Sequence, residues 1–500
     1  MSQPDTVDVL IIGAGISGIG AAAQLTRKLP GKSFTIIESR ESAGGTWDLF
    51  RYPGIRSDSD LLTFAYDFKP WRDTQAIADA DRILAYLHET VDEYGFADRI
   101  RYGQRVVAAN WSSESCRWLV EIERIDTGER STVAASWVFS GAGYYKYSAG
   151  HRPEFPGEER FTGTIVHPQQ WPADLDYAGK RVVVIGSGAT AVTLVPSMAK
   201  SAAHVTMLQR TPTYVVPLGR EDTMVNALRS AFGDSVAYRV GRAKNIARQR
   251  ALYEGCMRFP KTARRIIRAV NKSRLPKDFP VDTHFNPPYD PWDQRLCVVP
   301  DGDLYTALSD GSASVVTDHI ETFTETGIKL TSGTELPADI IVTATGLNLS
   351  LLDGIDLSVD GTPVILSDSV IYKGAMLSGI PNFVLSFGYT NSSWTLKVGL
   401  ICDYLCRLIG HMDERGLTSV RPVADPSMPT LPAIDFGAGY VQRAASRLPR
   451  QGESGPWRMS MSYYHDRRVL KKNAFDDPAL RYGRPVPAVS QGKEAVAQAS

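Results

Sequence analysis

Two short segments of the 500-residue chain place glycines where a nucleotide phosphate could sit. Gly13-Ala-Gly15-Ile-Ser17-Gly18 follows an apolar run over residues 7–12 and precedes an alanine-rich stretch over 19–28. Gly186-Ser187-Gly188-Ala189-Thr190-Ala191 follows a second apolar run over 181–185 and precedes a helical pattern that reaches Lys200. Each segment reads as a strand, a glycine turn and a helix. In such a unit the first glycine permits a tight turn and the second lets the backbone approach a pyrophosphate. The helix that follows presents free N–H groups and the positive end of its dipole to the phosphates. One such turn often arises for structural reasons alone. Two of them on one chain imply two bound dinucleotides and electron transfer between them.

The strands that follow distinguish the two sites. Residues 34–37 read as a strand ending in Glu38, about 25 residues after Gly13, where a carboxylate can accept both ribose hydroxyls of an adenosine. The equivalent strand of the second unit, 205–208, runs into Gln209-Arg210-Thr211. A guanidinium there suits a ribose 2′-phosphate, and the missing carboxylate removes the repulsion that would exclude it, so NADPH is expected over NADH.

Between the two units lies Phe161-Thr-Gly163-Thr-Ile-Val-His167-Pro-Gln-Gln-Trp171-Pro172, which resembles the F-x-G-x-x-x-H-x-x-x-W-P fingerprint of type I Baeyer–Villiger monooxygenases. Gly44-Gly45-Thr46-Trp47, followed by Tyr52-Pro53-Gly54 and Asp58, resembles the second fingerprint of that family. With Ala344-Thr345-Gly346 the resemblance covers at least the first 350 residues. The wording around Gly44–Asp58 and Gly388-Tyr-Thr-Asn391-Ser-Ser-Trp394 is most similar to the ethionamide-oxidising branch.

The resemblance implies an α/β fold with two Rossmann-like dinucleotide-binding domains, for FAD and NADPH, and a helical insertion in the NADPH domain. It implies that NADPH reduces FAD, that dioxygen adds to the reduced flavin, and that the resulting C4a-peroxyflavin converts ketones to esters or lactones. Sulfides and thioamides are expected as further substrates. Arg295 is implied to stabilise the peroxide anion and the oxyanion that follows, with Asp58 as the carboxylate that positions it. A permanently charged, multi-donor group suits that task.

The FAD cradle is then expected from Gly13, Gly15, Ser17, Gly18, Glu38, Gly45, Thr46, Trp47, Asp58 and Val106. The NADPH cradle is expected from Gly186, Ser187, Gly188, Ala189, Thr190, Ala191, Arg210 and Thr211. Several family members carry a lysine just before the active arginine that helps hold the 2′-phosphate. Here that residue is Gln294, so phosphate recognition leans on Arg210 and Thr211.

His167 has an unperturbed pKa near neutrality and so invites a general acid or base role. The resemblance instead gives the hinge residues Phe161, Gly163, His167, Trp171 and Pro172 a place in linker geometry that couples nucleotide binding to closure. Asn391 and Trp394 are expected at the substrate site on resemblance alone. Cys297 is read as packing, because no His and Asn set is placed to make it a nucleophile, and no metal site is expected.

A chain of this length exceeds what one core usually organises. The expected division is a first part of the FAD domain over 1–150, a hinge over 151–172 and an NADPH domain over 173–335. The second part of the FAD domain follows over 336–484, with a polar tail over 485–500. The helical insertion falls at about 220–290. Residues 229–277 hold 14 Lys or Arg against 2 Asp or Glu. A solvated helical insertion is the preferred reading of that stretch, and an amphipathic helix lying on a membrane surface is its rival. The Pro-rich turn 286–292 is expected to lead back to the sheet.

Lys+Arg and Asp+Glu both total 55, so no global charge draws the chain to nucleic acid, and small-molecule partners are expected. The five cysteines are scattered without a C-x-x-C pair, which excludes a dithiol–disulfide reductase and fits a cytoplasmic setting. The N-terminus lacks the basic start and long apolar run of a signal segment, and no stretch is apolar enough to span a bilayer. Two rival functions share the scaffold. A heteroatom-oxidising flavin monooxygenase usually has Tyr or Phe where Trp171 stands, and a non-catalytic FAD/NADPH sensor has no need of Arg295 and Asp58.

Overall fold

The computed structural model describes residues 4–294, 296–434, 437–472 and 475–484. The expected tail at 485–500 and the side chain of Arg295 lie outside the described residues. The elements used below are, in chain order, β1 (Asp5–Ile12), α1 (Ile16–Lys28), β2 (Phe34–Ile37), β3 (Gln104–Ser112), β4 (Arg117–Arg124), β5 (Arg130–Ser140), β6 (Thr164–Val166) and β7 (Arg181–Ile185). There follow α2 (Ala189–Met198), β8 (His204–Gln209), α3 (Thr223–Phe232), α4 (Asp234–Arg258), α5 (Pro260–Arg274), β9 (Cys297–Pro300) and α6 (Asp303–Ser309). The last are β10 (Ala313–Thr317), β11 (Ile340–Thr343), β12 (Asp356–Val359), β13 (Phe383–Leu385) and α7 (Trp394–Glu414).

β1 is apolar along its second half because both of its faces are covered: Val9, Leu10 and Ile11 are fully buried. It lies between β2 and β5, parallel to both, with Ile11 opposite Ile36 and Phe139. α1 packs closely on this sheet through Ala21, Ala22 and Ala23, which are buried and small enough to let the backbones approach. Among the described residues the first sheet has nine strands, extended by the antiparallel hairpins of β3, β4 and β5.

The second sheet is parallel, in the order β10-β8-β7-β11-β6. Its central strands are continuous apolar runs for the same reason as β1. One expectation is corrected here. The strand after residue 336 was expected to return the chain to the first unit, but β11 sits inside the second sheet, with Ile341 opposite both Val183 and Ile165. An apolar run announces a buried strand without naming the sheet that buries it. The chain re-enters the first sheet later, where β12 joins β3 and β13 joins β5. The expected hinge also contributes β6, the edge strand of the second sheet. After the Pro-rich turn, β9 pairs with Val215–Leu218 in a separate two-stranded ribbon rather than with the main sheet.

The basic stretch forms α3, α4 and α5. It is less solvated than expected, since one face of α4 docks on residues 60–66 of the first unit. The Tyr238 hydroxyl donates to the Tyr66 carbonyl (2.6 Å), Arg242 to the carbonyls of Leu62 and Ala65 (2.8 Å each), and Asn245 to Asp60 (3.0 Å). These donors recur at i, i+4 and i+7 on one helix face, so a polar stripe that reads as solvated serves as the donor set for exposed carbonyl ends. All five cysteines are free of disulfides, and Cys297 is packed in the core of the second unit. No helix among the described residues is long and apolar enough to cross a membrane.

Candidate active site

One cavity of about 930 Å³ opens between the two units, at the upper end of the ~300–1,000 Å³ usual for ligand sites. Its wall holds Gly13, Gly15, Ser17, Glu38, Gly45, Thr46, Trp47, Asp58 and Val106 from the first expected cradle and Ala189 and Thr190 from the second. Local chemistry explains the shape of the first end. Gly13 turns at φ +90°, and a Cβ on Gly45 (φ +58°) would stand 2.9 Å from the Gly15 backbone, so side chains would fill the floor of the cavity. Both glycine turns lead into helices whose N-caps, Gly15 and Gly188, are extended and lack a side-chain cap. Their first-turn N–H groups are therefore available to phosphate oxygens.

Glu38 ends β2 as expected, buried, with its two oxygens accepting the N–H groups of Ala14 (2.6 Å) and Arg40 (2.9 Å). Burial raises its carboxyl above the usual carboxylate range, although those two N–H bonds pull the other way. A carboxylate has further lone pairs for ribose hydroxyls. Nearby, burial and the Glu38 charge push the Tyr147 phenol up to about 12. Trp394, the first residue of α7, donates its indole N–H to the Ser17 hydroxyl (3.2 Å) and stacks on Tyr144 at 4.8 Å, closing one wall with aromatic surface.

The second cradle is held from behind. Ser187 donates to the Thr211 carbonyl (3.0 Å), which draws the Arg210-Thr211 segment to the glycine turn and leaves the Arg210 side chain exposed. Gly186 turns at φ +134°, where a Cβ would overlap the Ala344 carbonyl oxygen, whereas the space beside Gly188 is open. Two residues of the expected cradles are tightly packed. A Cβ on Gly18 would overlap the Gly13 carbonyl, so this glycine exists for helix–strand contact, and Ala191 is fully buried in the second core.

The units are tied together around the cavity. Arg56, whose side chain is 5% exposed, forms an ion pair with Asp303 on α6. A Cβ on Gly54 (φ +75°) would overlap the Ser197 hydroxyl of α2 and approach its Cβ to 2.7 Å. His167 binds the crossings: its Nδ1 accepts from the Gln169 N–H (3.2 Å), so Nε2 carries the proton and donates to the Gly346 carbonyl (3.2 Å). Burial first, and the Arg152 charge after it, lower its pKa from 6.5, which favours the neutral ring. Gly150 lies against that ring so closely that a Cβ would overlap it. Gln169 donates to the carbonyls of Lys146 (2.7 Å) and Tyr147 (3.0 Å). Phe161 and Gly163 pack beside Phe323 and the Asp339 carbonyl, and Trp171 rests on the second core with Pro172 beside it in the chain.

Residues 7–225 match the family described as Flavin-binding monooxygenase-like. The chain is 49% identical over 486 residues to the FAD-containing monooxygenase EthA of Mycobacterium tuberculosis, covering 96% of this chain and 99% of that protein. The chain belongs to the flavin-binding monooxygenase family. A further relative, the probable FAD-binding monooxygenase AlmA of Acinetobacter sp, is 49% identical over 480 residues, covering 95% of this chain and 96% of that one. The fold matches an oxidized steroid monooxygenase bound to NADP (TM-score 0.73, 23% identity) and an OTEMO complex with FAD and NADP (TM-score 0.74, 21% identity). Each match covers 96% of this chain and 100% of the other.

For this monooxygenase the cavity also shows what sequence reasoning missed. Tyr52, Arg56, Tyr144, Tyr147 and Tyr389 all line it. Tyr52 and Arg56 fall inside the second fingerprint, and the tyrosines at 144, 145 and 147 follow the carboxyl end of β5, where ligands of parallel sheets gather. Burial, with the Asp58 charge beside it, raises the Tyr52 phenol well above its ordinary value. Trp394 reaches the wall as expected. Asn391 does not: it is buried beneath it and donates to the Met461 carbonyl (3.0 Å). Arg295 lies outside the described residues, while Val298, three positions on, lines the cavity.

Proposed function

We propose that this monooxygenase converts ketones to esters or lactones with FAD, NADPH and dioxygen, and that it oxidises sulfides or thioamides at the same centre. The observation that carries the reading is the single cavity onto which both glycine-turn helices open, with the Gly44–Asp58 fingerprint in its wall. The residues present fit the two groups: a floor with no side chains, two uncapped helix starts and a carboxylate at the end of β2. FAD, when bound, supplies electron transfer from NADPH and the activation of dioxygen.

The protein's share is positioning, charge and dryness. Gly15 and its helix receive a pyrophosphate, and Glu38 receives ribose hydroxyls. Arg210 and Thr211 hold the NADPH 2′-phosphate without help from a lysine at 294. Arg295 holds negative charge at the reacting oxygen and then at the former carbonyl oxygen, with Asp58 as the carboxylate that positions it. Trp394, Tyr144 and Tyr389 keep water from that end. Asp58, Trp394 and Tyr389 all line the cavity, which suits a substrate held among aromatic and charged groups.

The test is ketone-dependent NADPH oxidation across linear, cyclic and aryl ketones, beside a sulfide and a thioamide, with products identified by mass spectrometry. Ester formed in proportion to NADPH consumed is the expected outcome. Hydrogen peroxide as the only product with every substrate would favour the sensor, and sulfoxide without any ester would favour the heteroatom oxidase. Arg295→Ala should still be reduced by NADPH yet lose ester formation, at a cost of roughly 3 kcal/mol or more in barrier. An undiminished ester yield would remove the role given to Arg295.

A further inference from the structure

The corner between α4 and α5 projects apolar side chains that the fold does not use. Met257, Phe259 and Ile266 are 51%, 59% and 58% exposed. They share the corner with Arg258, Lys261 and Arg265, all exposed as well. The inward face of α5 is accounted for: Ile267 is buried, Asn271 accepts from the Tyr305 hydroxyl (2.7 Å), and Arg264 donates to Asn286 (3.0 Å). Its outward face therefore carries Phe259, Thr262, Ile266 and Ala269 at i, i+3, i+7 and i+10, one continuous stripe.

The charges around this stripe are unbalanced. Neighbouring Arg250 pairs with Glu254 and Arg268 with Asp282, but Arg258, Lys261 and Arg265 meet no carboxylate among the described residues. The Arg258 guanidinium lies 5.8 Å from the centre of the Phe259 ring, so cation and apolar wedge form one tip. Large apolar groups standing clear of a surface, ringed by unpaired cations, meet both demands of a bilayer edge: the rings enter the acyl boundary and the cations meet headgroup phosphates. A second copy of the chain fits less well, because a twofold contact at this corner would set the same cations against one another. Nucleic acid would engage the cations and leave the projecting Phe and Ile in water.

We propose that the α4–α5 corner is a docking surface for anionic phospholipid membranes, inserting Phe259 and Ile266 between headgroups that Arg258, Lys261 and Arg265 neutralise. This goes beyond the oxygenase reading and does not depend on it. It makes the protein a peripheral membrane binder, attached by one corner and not by a spanning helix.

The full-length, FAD-loaded protein is sedimented with vesicles of phosphatidylcholine alone and of phosphatidylcholine with about one-third phosphatidylglycerol. Binding is expected to the second kind only and to fall as salt is raised. Neutralising Arg258→Gln, Lys261→Gln and Arg265→Gln together should weaken it roughly a hundredfold, at about fivefold for each cation. Phe259→Ser with Ile266→Ser should weaken it at least about tenfold while flavin content and thermal transition stay unchanged, since neither side chain packs in the core. Absence of binding to the anionic vesicles, or equal binding by parent and Phe/Ile variant, overturns the proposal. So does a change in solution mass, abolished by the same substitutions, in a protein that ignores vesicles, because it hands the corner to a second copy.

Discussion

Arg56 and Asp303, 247 positions apart, form an ion pair across the two nucleotide units, with a second guanidinium nitrogen 3.3 Å from the same carboxylate. The pair is asymmetric, because Arg56 is nearly enclosed and Asp303 is 30% exposed. Removing the acid strands a cation at the cavity wall; removing the cation leaves an acid that water can reach. Asp303→Asn is therefore expected to cost more than Arg56→Met, by about 1–3 kcal/mol, below the full penalty for breaking a wholly buried pair. Denaturant unfolding of both variants measures the difference, and equal losses would show that the pair acts as a surface contact.

Gly54 meets two demands at once, a left-handed backbone and contact with α2. Gly54→Ala should lower stability by about 1 kcal/mol for the φ alone and by more through the Ser197 overlap. Ser197→Gly in the same chain should return only the steric share. A double-mutant cycle with no coupling between the two positions would contradict the contact.

Arg210 is exposed at the end of β8, held beside the second glycine turn by the Ser187–Thr211 bond. If it meets the 2′-phosphate, Arg210→Ala should raise the KM for NADPH roughly ten- to a hundredfold while leaving that for NADH nearly unchanged. Steady-state kinetics with both nucleotides provide the check. Parallel changes for the two would move phosphate recognition to another residue.

His167 links the hinge to Gly346 as a neutral ring, with its pKa lowered from 6.5. A depressed pKa means that the unfolded chain binds more protons, so this group's stability is fully present above about 6.5 and is lost as pH falls toward the lower folded value. His167→Gln should flatten the difference in melting temperature between mildly acidic and neutral buffer. His151, His284 and His411 are also lowered, so the decisive quantity is the parent profile minus that of the variant. An unchanged slope would mean that His167 titrates as it does in water.

Much of the scaffold was legible residue by residue. The strands Phe34–Ile37 and Arg181–Ile185 fall where apolar runs and glycine turns put them. Helix α1 begins three residues before its expected start, because the helix enters directly from the Gly15 turn. The glycine turns and the position of Glu38 after its strand were readable for the same reason: each depends on backbone freedom or charge over a few neighbouring residues.

Tertiary structure alone decided which distant segments meet. Local apolarity told that Ile340–Thr343 is a strand but not that it lies between Val183 and Ile165, since parallel partners are far apart in the chain. The same holds for α4 on residues 60–66, for Arg56 with Asp303, for His167 with Gly346, and for Asn391 turning away from the wall that Trp394 forms. Sequence determined the two glycine turns and the flavin-monooxygenase family to which the chain belongs, because those rest on short-range patterns. The shape and charge of the space between them were set by packing over long loops, where many pairings satisfy the same local pattern and only the assembled core selects one.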